Sequence, residues 1–173
     1  GFDDGAEDQR QLDGHSVPLI NANLTTNLDI TRAKRLPENS GVCFIGTKKA
    51  GAFDIDTALA QKFLRDENNL EEKSNAEVVF PWVNGKDLVG TASQRSIIYF
   101  GEMSQADAQK YRLPYDHVLR EVQPVRQDNN EERARRLWWQ HRRPATEMWQ
   151  AVTALTRYIA TPRVAKHCLF VWV

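Results

Sequence analysis

Apolar residues in this chain come in short runs broken by polar punctuation, and no run keeps one period for long. Val42-Cys43-Phe44-Ile45 lies between Gly41 and Gly46, the pattern of a buried strand leading into a turn. Asp54 or Asp56 can cap a helix in which Ile55, Leu59 and Phe63 recur four apart. Residues 66–75 are charged and polar and read as an exposed connection. Residues 78–83 are apolar and aromatic up to Asn84-Gly85, a pair that favours positive φ and predicts a strand entering a tight turn. Residues 96–100 predict another short strand, and Ser104-Gln105-Ala106-Asp107 a capping box that opens a short helix.

Further along, Val118, Leu119 and Val122 share one helix face within the charged stretch 115–141, and Pro124 must kink or split that helix. Residues 145–155 predict a helix with Met148, Val152 and Leu155 toward the core, followed by strands over 158–164 and 169–173. The first sixteen residues, rich in Asp, Gly and Gln, show no sustained period and read as a turn or loop entering the fold. Strands and helices alternate irregularly and nothing repeats at a fixed period, which gives an α+β class: one mixed domain of short elements. The chain starts abruptly and stops inside the apolar run Phe170-Val171-Trp172-Val173, the pattern of a domain, residues 1–173, cut at its C-terminal end from a longer polypeptide.

Composition narrows the class. A length of 173 residues, 41% hydrophobic, suits one ordinary core, and no apolar run is long enough to span a bilayer. The first thirty positions are acidic and polar where a signal peptide needs a basic start, so a cytoplasmic protein with no membrane partner is expected. Cys43 and Cys168 form no metal or redox spacing and are expected as buried thiols. The zero net charge hides an asymmetry: residues 1–109 carry 11 Lys/Arg against 17 Asp/Glu, whereas residues 110–173 carry 12 against 6. Ten of those twelve are arginines, whose planar fork matches phosphates and guanine edges. Charge alone leaves a solvated, ion-paired surface equally open.

Catalytic motifs are sparse. Gly46-Thr47-Lys48-Lys49-Ala50-Gly51 lacks the Lys-Ser/Thr pair of a phosphate loop, having Ala52-Phe53 there, and reads as a hairpin turn. Glu71-Glu72-Lys73, with Asp54 or Asp56 upstream, offers the carboxylate and lysine set of a metal-dependent nuclease, but on a polar, loop-like segment. His117, His141 and His167 are too scattered for paired metal ligation, and His167-Cys168 on a strand would point to opposite faces. Neither a glycine-rich cofactor loop nor an Asn/Asp-Pro-Pro-aromatic element of an adenine methyltransferase occurs, and no nucleophile motif does.

The densest stretch is Arg157-Tyr158-Ile159-Ala160-Thr161-Pro162-Arg163-Val164-Ala165-Lys166-His167, followed by Leu169-Phe170-Val171-Trp172. Upstream lie, in order, Ile20-Asn21-Ala22-Asn23-Leu24-Thr25, Arg35-Leu36-Pro37-Glu38-Asn39-Ser40-Gly41-Val42, Gly51-Ala52-Phe53-Asp54-Ile55, Pro81-Trp82-Val83-Asn84-Gly85-Lys86-Asp87-Leu88, and Trp138-Trp139 ahead of Arg142 and Arg143. Together these resemble the target-recognition domains of MmeI-like restriction-modification enzymes, over essentially the whole chain. Cys168 departs from the third basic residue usual after Lys-His in that family. The resemblance implies a sequence-specific module for double-stranded DNA that performs no catalysis and holds no cofactor itself. The implied parent is an adenine-N6 methyltransferase using S-adenosylmethionine, with the methyltransferase domain as a partner on the same polypeptide and in some members a fused endonuclease.

That reading assigns DNA contact to Lys86, Arg142, Arg143, Arg157, Thr161, Arg163, Lys166 and His167, and base choice to Val164, Ala165 and Cys168. Phosphate contacts position a duplex and base-edge contacts specify it, and the arginines suit either task. Trp82, Trp138, Trp139, Trp149 and Trp172 sit among apolar neighbours and read as core rather than as base-stacking platforms. Two other readings remain beside the DNA module: the metal-dependent nuclease above, and a structural domain that binds protein through the Trp-rich stretch.

Overall fold

The computed structural model describes residues 9–26 and 33–173. The chain forms two compact units, Gly1–Cys43 and Phe44–Val173. In the first, β1 (Arg10–Leu12) pairs antiparallel with β2 (His15–Val17), with Leu12 opposite His15. Asp13 and Gly14 turn the hairpin at φ 52° and 78°, the two left-handed positions that a two-residue type I′ turn requires. The turn fits the expected turn or loop, and the two short strands that flank it are not expected, because the stretch lacks a period. Residues 1–8 of that expected loop lie outside the described residues.

The second unit is built on a three-stranded antiparallel sheet. β3 (Asp54–Ile55) is followed by α1 (Thr57–Leu64), β4 (Val79–Trp82), α2 (Gly85–Val89) and β5 (Arg95–Ile98), with β5 in the centre between β3 and β4. Then come α3 (Gln105–Ala108), α4 (Arg112–Glu121), α5 (Gln123–Gln127), α6 (Glu132–Arg136) and α7 (Thr146–Val152), and an antiparallel pair of β6 (Ile159–Ala160) and β7 (Val171–Trp172). The architecture is α+β, as the irregular alternation of patterns predicts. Among the described residues no helix is long and apolar enough to cross a membrane.

Most elements form for reasons visible in their residues. Asp56 caps α1 by accepting from the Leu59 N–H at 2.8 Å, and the helix buries Ala60 and Phe63. Ser104 caps α3 in the same way through Asp107. Pro124 ends one helix and starts the next: α4 stops at Glu121 and α5 carries the proline in its first turn, where its missing N–H costs nothing. Val118 and Val122 are fully buried against Phe53, Phe100, Tyr115 and Trp138.

Four local expectations are corrected. Val42-Cys43-Phe44-Ile45 is not a strand: nothing pairs with it, and Val42, Cys43 and Ile45 are exposed. Asn84-Gly85 makes no left-handed turn, since Asn84 at φ −116° caps α2. Its side chain accepts from the Lys86 N–H while the Asp87 carboxylate accepts from the Asn84 N–H, both at 2.8 Å, so an acid three residues on selects a capping box. Helix α7 buries no leucine: Leu155 lies beyond its end, and Trp149 supplies the contact by stacking on Tyr99 at 4.7 Å between ring centroids. The strands expected over 158–164 and 169–173 shrink to two residues each, with Pro162 unable to donate to a ladder. His167-Cys168 therefore lies in a loop, and Cys168, like Cys43, is exposed instead of buried.

One buried side chain ties these pieces together. Arg126, 3% exposed, sends its guanidinium into five main-chain carbonyls: Lys49 and Ala50 from one segment, Leu137, Trp138 and Gln140 from another. Its fork also lies over the Phe53 ring, 5.2 Å from the centroid. Burial pulls its pKa below the ordinary arginine value, with Glu131 opposing that shift and Arg142 adding to it. All five N–H groups are used, so no smaller or differently shaped side chain satisfies the same carbonyls. Arg126→Met is expected to destabilise the fold by about 3 kcal/mol or more, and Arg126→Lys is expected to recover less than half of that. Urea unfolding measures it; a loss below about 1 kcal/mol for the methionine variant would overturn the assigned role.

Candidate nucleic-acid interface

β6 and β7 hold out a loop, residues 161–170, whose side chains take almost no part in the core. Thr161, Arg163, Val164, Ala165, Lys166, His167 and Cys168 are all exposed, Val164 by 90%. No acidic residue follows Glu147 in the chain, and among the described residues neither Arg163 nor Lys166 has an acidic partner. The base of the loop is fixed by paired hydrogen bonds between Tyr158 and Val173, each 2.9 Å. Arg157 does not extend freely from it: its guanidinium lies over the Trp172 ring, 4.5 Å from the centroid. Trp172 is 59% exposed, so among the five tryptophans it departs from the expected core role, while Trp138 and Trp139 are buried and Trp82 and Trp149 half-buried.

Helix α2 meets this loop at its start. A Cβ on Gly85 would come 3.4 Å from the Pro162 Cβ, so the first turn of α2 packs directly on the loop's proline. Lys86, the next residue along that turn, is exposed. Asp87 holds the turn in place by also accepting from the Ser93 N–H at 2.8 Å.

Arg142 and Arg143 occupy a different place. They run antiparallel to Lys48 and Lys49, with the Lys48 N–H donating to the Arg143 carbonyl at 3.0 Å and the Arg143 N–H to the Lys48 carbonyl at 3.1 Å. The hairpin expected over residues 46–51 is therefore replaced by a bridge to a segment far along the chain. Arg142 is bound to Glu131 at 2.8 Å, beside a recess of about 280 Å³ lined by Ala50, Arg126, Asn129, Asn130, Glu131, Ala134 and Arg142. Arg143 donates its Nε to the Gly46 carbonyl at 3.2 Å and stays exposed. Lys48 is the residue that sequence reading passed over. Its signal is that no acidic residue lies between Glu38 and Asp54, so the basic pair Lys48-Lys49 has one nearby acid between them, and Lys49 takes it.

The residues of the nuclease reading are each engaged elsewhere. Asp54 is ion-paired with Lys49 and with Arg95, the latter at 3.0 Å. Asp56 caps α1, Glu71 binds Lys110 at 2.8 Å and Lys73 binds Glu77 at 3.3 Å. Among the described residues no three His, Cys, Asp or Glu side chains gather as a metal site.

His141, 2% exposed, lies under the Arg142 strand, with Nε2 2.9 Å from the Ile98 carbonyl and its ring edge-on to Phe53 at 4.6 Å. The carbonyl fixes the proton on Nε2, and the buried Nδ1 has no partner. Burial above all pushes its pKa down to about 4 from the ordinary 6.5, with Arg126 and Lys49 adding to that and the Ile98 carbonyl opposing it. The folded state keeps this ring neutral where the unfolded chain takes up a proton, so its contribution is complete above pH 6.5 and is lost as pH falls toward 4. Between pH 7.5 and 5.5 this ring should lower the unfolding free energy by about 1 kcal/mol. His141→Gln should be less stable at pH 7.5 but show a flatter profile over that interval, and parallel profiles would refute the assignment.

No protein-family model matches the chain, and neither does any curated protein or solved structure.

Proposed function

We propose that this chain is a recognition module for double-stranded DNA, working within a longer polypeptide whose methyltransferase domain carries S-adenosylmethionine and modifies adenine at N6. The observation that carries the reading is the loop of residues 161–168, with Arg163 and Lys166 exposed and without acidic partners among the described residues. A surface of that kind is costly as a structural element, because it neither packs nor pairs, and it suits a polyanion that supplies the missing charge. The ordered motifs that resemble MmeI-like recognition domains support the same conclusion, as does the basic excess of residues 110–173.

Within the loop the work divides by chemistry. Arg163 and Lys166, beside Lys86, contact phosphates and set the register of the duplex, since the run they belong to resembles one shared by enzymes of different specificity. Val164, Ala165 and Cys168 face solvent between them and choose the base by apolar or shape contact. Arg157, held on Trp172, supports the loop's base.

In duplex binding measured from 50 to 200 mM salt, Arg163→Ala and Lys166→Ala should each weaken all sequences together and lower the salt slope by about one. In the parent enzyme, Cys168→Arg should change the methylated sequence and Arg163→Ala should not. Wild-type slopes in both loop variants would sink the loop's assigned part in DNA contact, and no binding by the wild-type chain would sink the DNA reading itself. A clean change of recognised base with Arg163→Ala, and none with Cys168→Arg, would reverse the roles.

A further inference from the structure

We propose that Lys48 and Arg143 together grip one phosphate group of a nucleic-acid backbone, at a site separate from the loop of residues 161–168. The inference rests on the DNA reading above and assigns it a second contact, one that sequence reading placed on Arg142 as well.

The argument starts from ladder geometry. Residues opposite each other in an antiparallel bridge project from the same face, and the next pair projects from the other. Lys48 opposite Arg143 and Lys49 opposite Arg142 thus place two like-charged pairs back to back. Like charges directly opposite destabilise a ladder. On the Lys49 and Arg142 face the protein removes that repulsion, since Lys49 is bound to Asp54 and Arg142 to Glu131. On the Lys48 and Arg143 face it does not: both side chains are exposed, and among the described residues neither has an acidic partner.

The two faces therefore differ in whether a counter-charge is built in. Arg143 spends its Nε on the Gly46 carbonyl, which orients the guanidinium and leaves both Nη groups for a ligand. A phosphodiester presents two non-bridging oxygens, one for the Lys48 ammonium and one for that fork. Because the pair faces open solvent, the ligand is a phosphate carried on a polymer surface that lies across the ladder.

The test is duplex DNA binding by the 173-residue chain from 50 to 200 mM salt, read beside thermal unfolding. Lys48→Ala should lower the salt slope by about one, and Lys48→Glu, which neutralises Arg143 too, by about two. Both should leave the melting temperature unchanged or raise it, because they relieve repulsion between opposite cations. Arg142→Ala should leave the slope as it is. A lowered slope in Lys48→Ala at undiminished stability supports the site; an unchanged slope, or a fall in melting temperature that accounts for the loss, overturns it. Arg163→Ala and Lys166→Ala run alongside: lowered slopes there with none at Lys48 overturn this inference alone. The opposite pattern supports it and overturns the loop assignment, and no binding by the wild-type chain overturns both.

Discussion

A single cation buried without a carboxylate organises the second unit. Arg126 lies in the last turn of α5 and reaches two segments, residues 49–50 and residues 137–140, that nothing in the local sequence would bring together. Main-chain carbonyls are fixed dipoles, so five of them around one guanidinium give partial charge from every side without a second ionised group. The arrangement is all or nothing: each carbonyl is aimed by its own segment, and the guanidinium fits only when all have arrived. Lys49 and Gln140 are held this way, and close to them along the chain Lys48 and Arg143 form their antiparallel bridge. Placement of surface charge is in this sense a by-product of core formation.

The chain handles its cations in three ways, and the differences carry the functional reading. Some are buried on carbonyls, as Arg126 is. Some are matched to acids, as Lys49, Arg95, Lys110 and Arg142 are. Among the described residues Arg163, Lys166, Lys48 and Arg143 belong to neither group, and Arg163 and Lys166 lie in a stretch of sequence that holds no Asp or Glu. Net charge near zero conceals this sorting, since the acids gather elsewhere.

Sequence patterns were most legible where one residue decides one local event. Asp56 and Ser104 as caps, Pro124 as a break, and the aromatic strand at Val79–Trp82 followed directly from side-chain chemistry. They misled where two signals competed for the same residues. Asn84 can enter a left-handed turn or cap a helix, and only Asp87, three positions on, settles the choice. Asp13-Gly14 was submerged in a polar stretch whose lack of period hid a hairpin. Arg163 and Lys166 stand out from the sequence, though on an expected pair of strands where the structure has a loop, and Lys48 is missed, its relation to Arg143 spanning most of the chain.

The loop of residues 161–168 bears on how such a surface can change over generations. Val164, Ala165 and Cys168 are exposed and take no part in the buried core cluster, and their loop is anchored by Pro162 against α2 and by the Tyr158 and Val173 hydrogen bonds at its base. Substitutions there carry little folding penalty, so variants accumulate by drift without first crossing a barrier of misfolding. The scaffold separates what must be kept from what is free to vary, and a lineage can explore new binding preferences one residue at a time while every intermediate still folds.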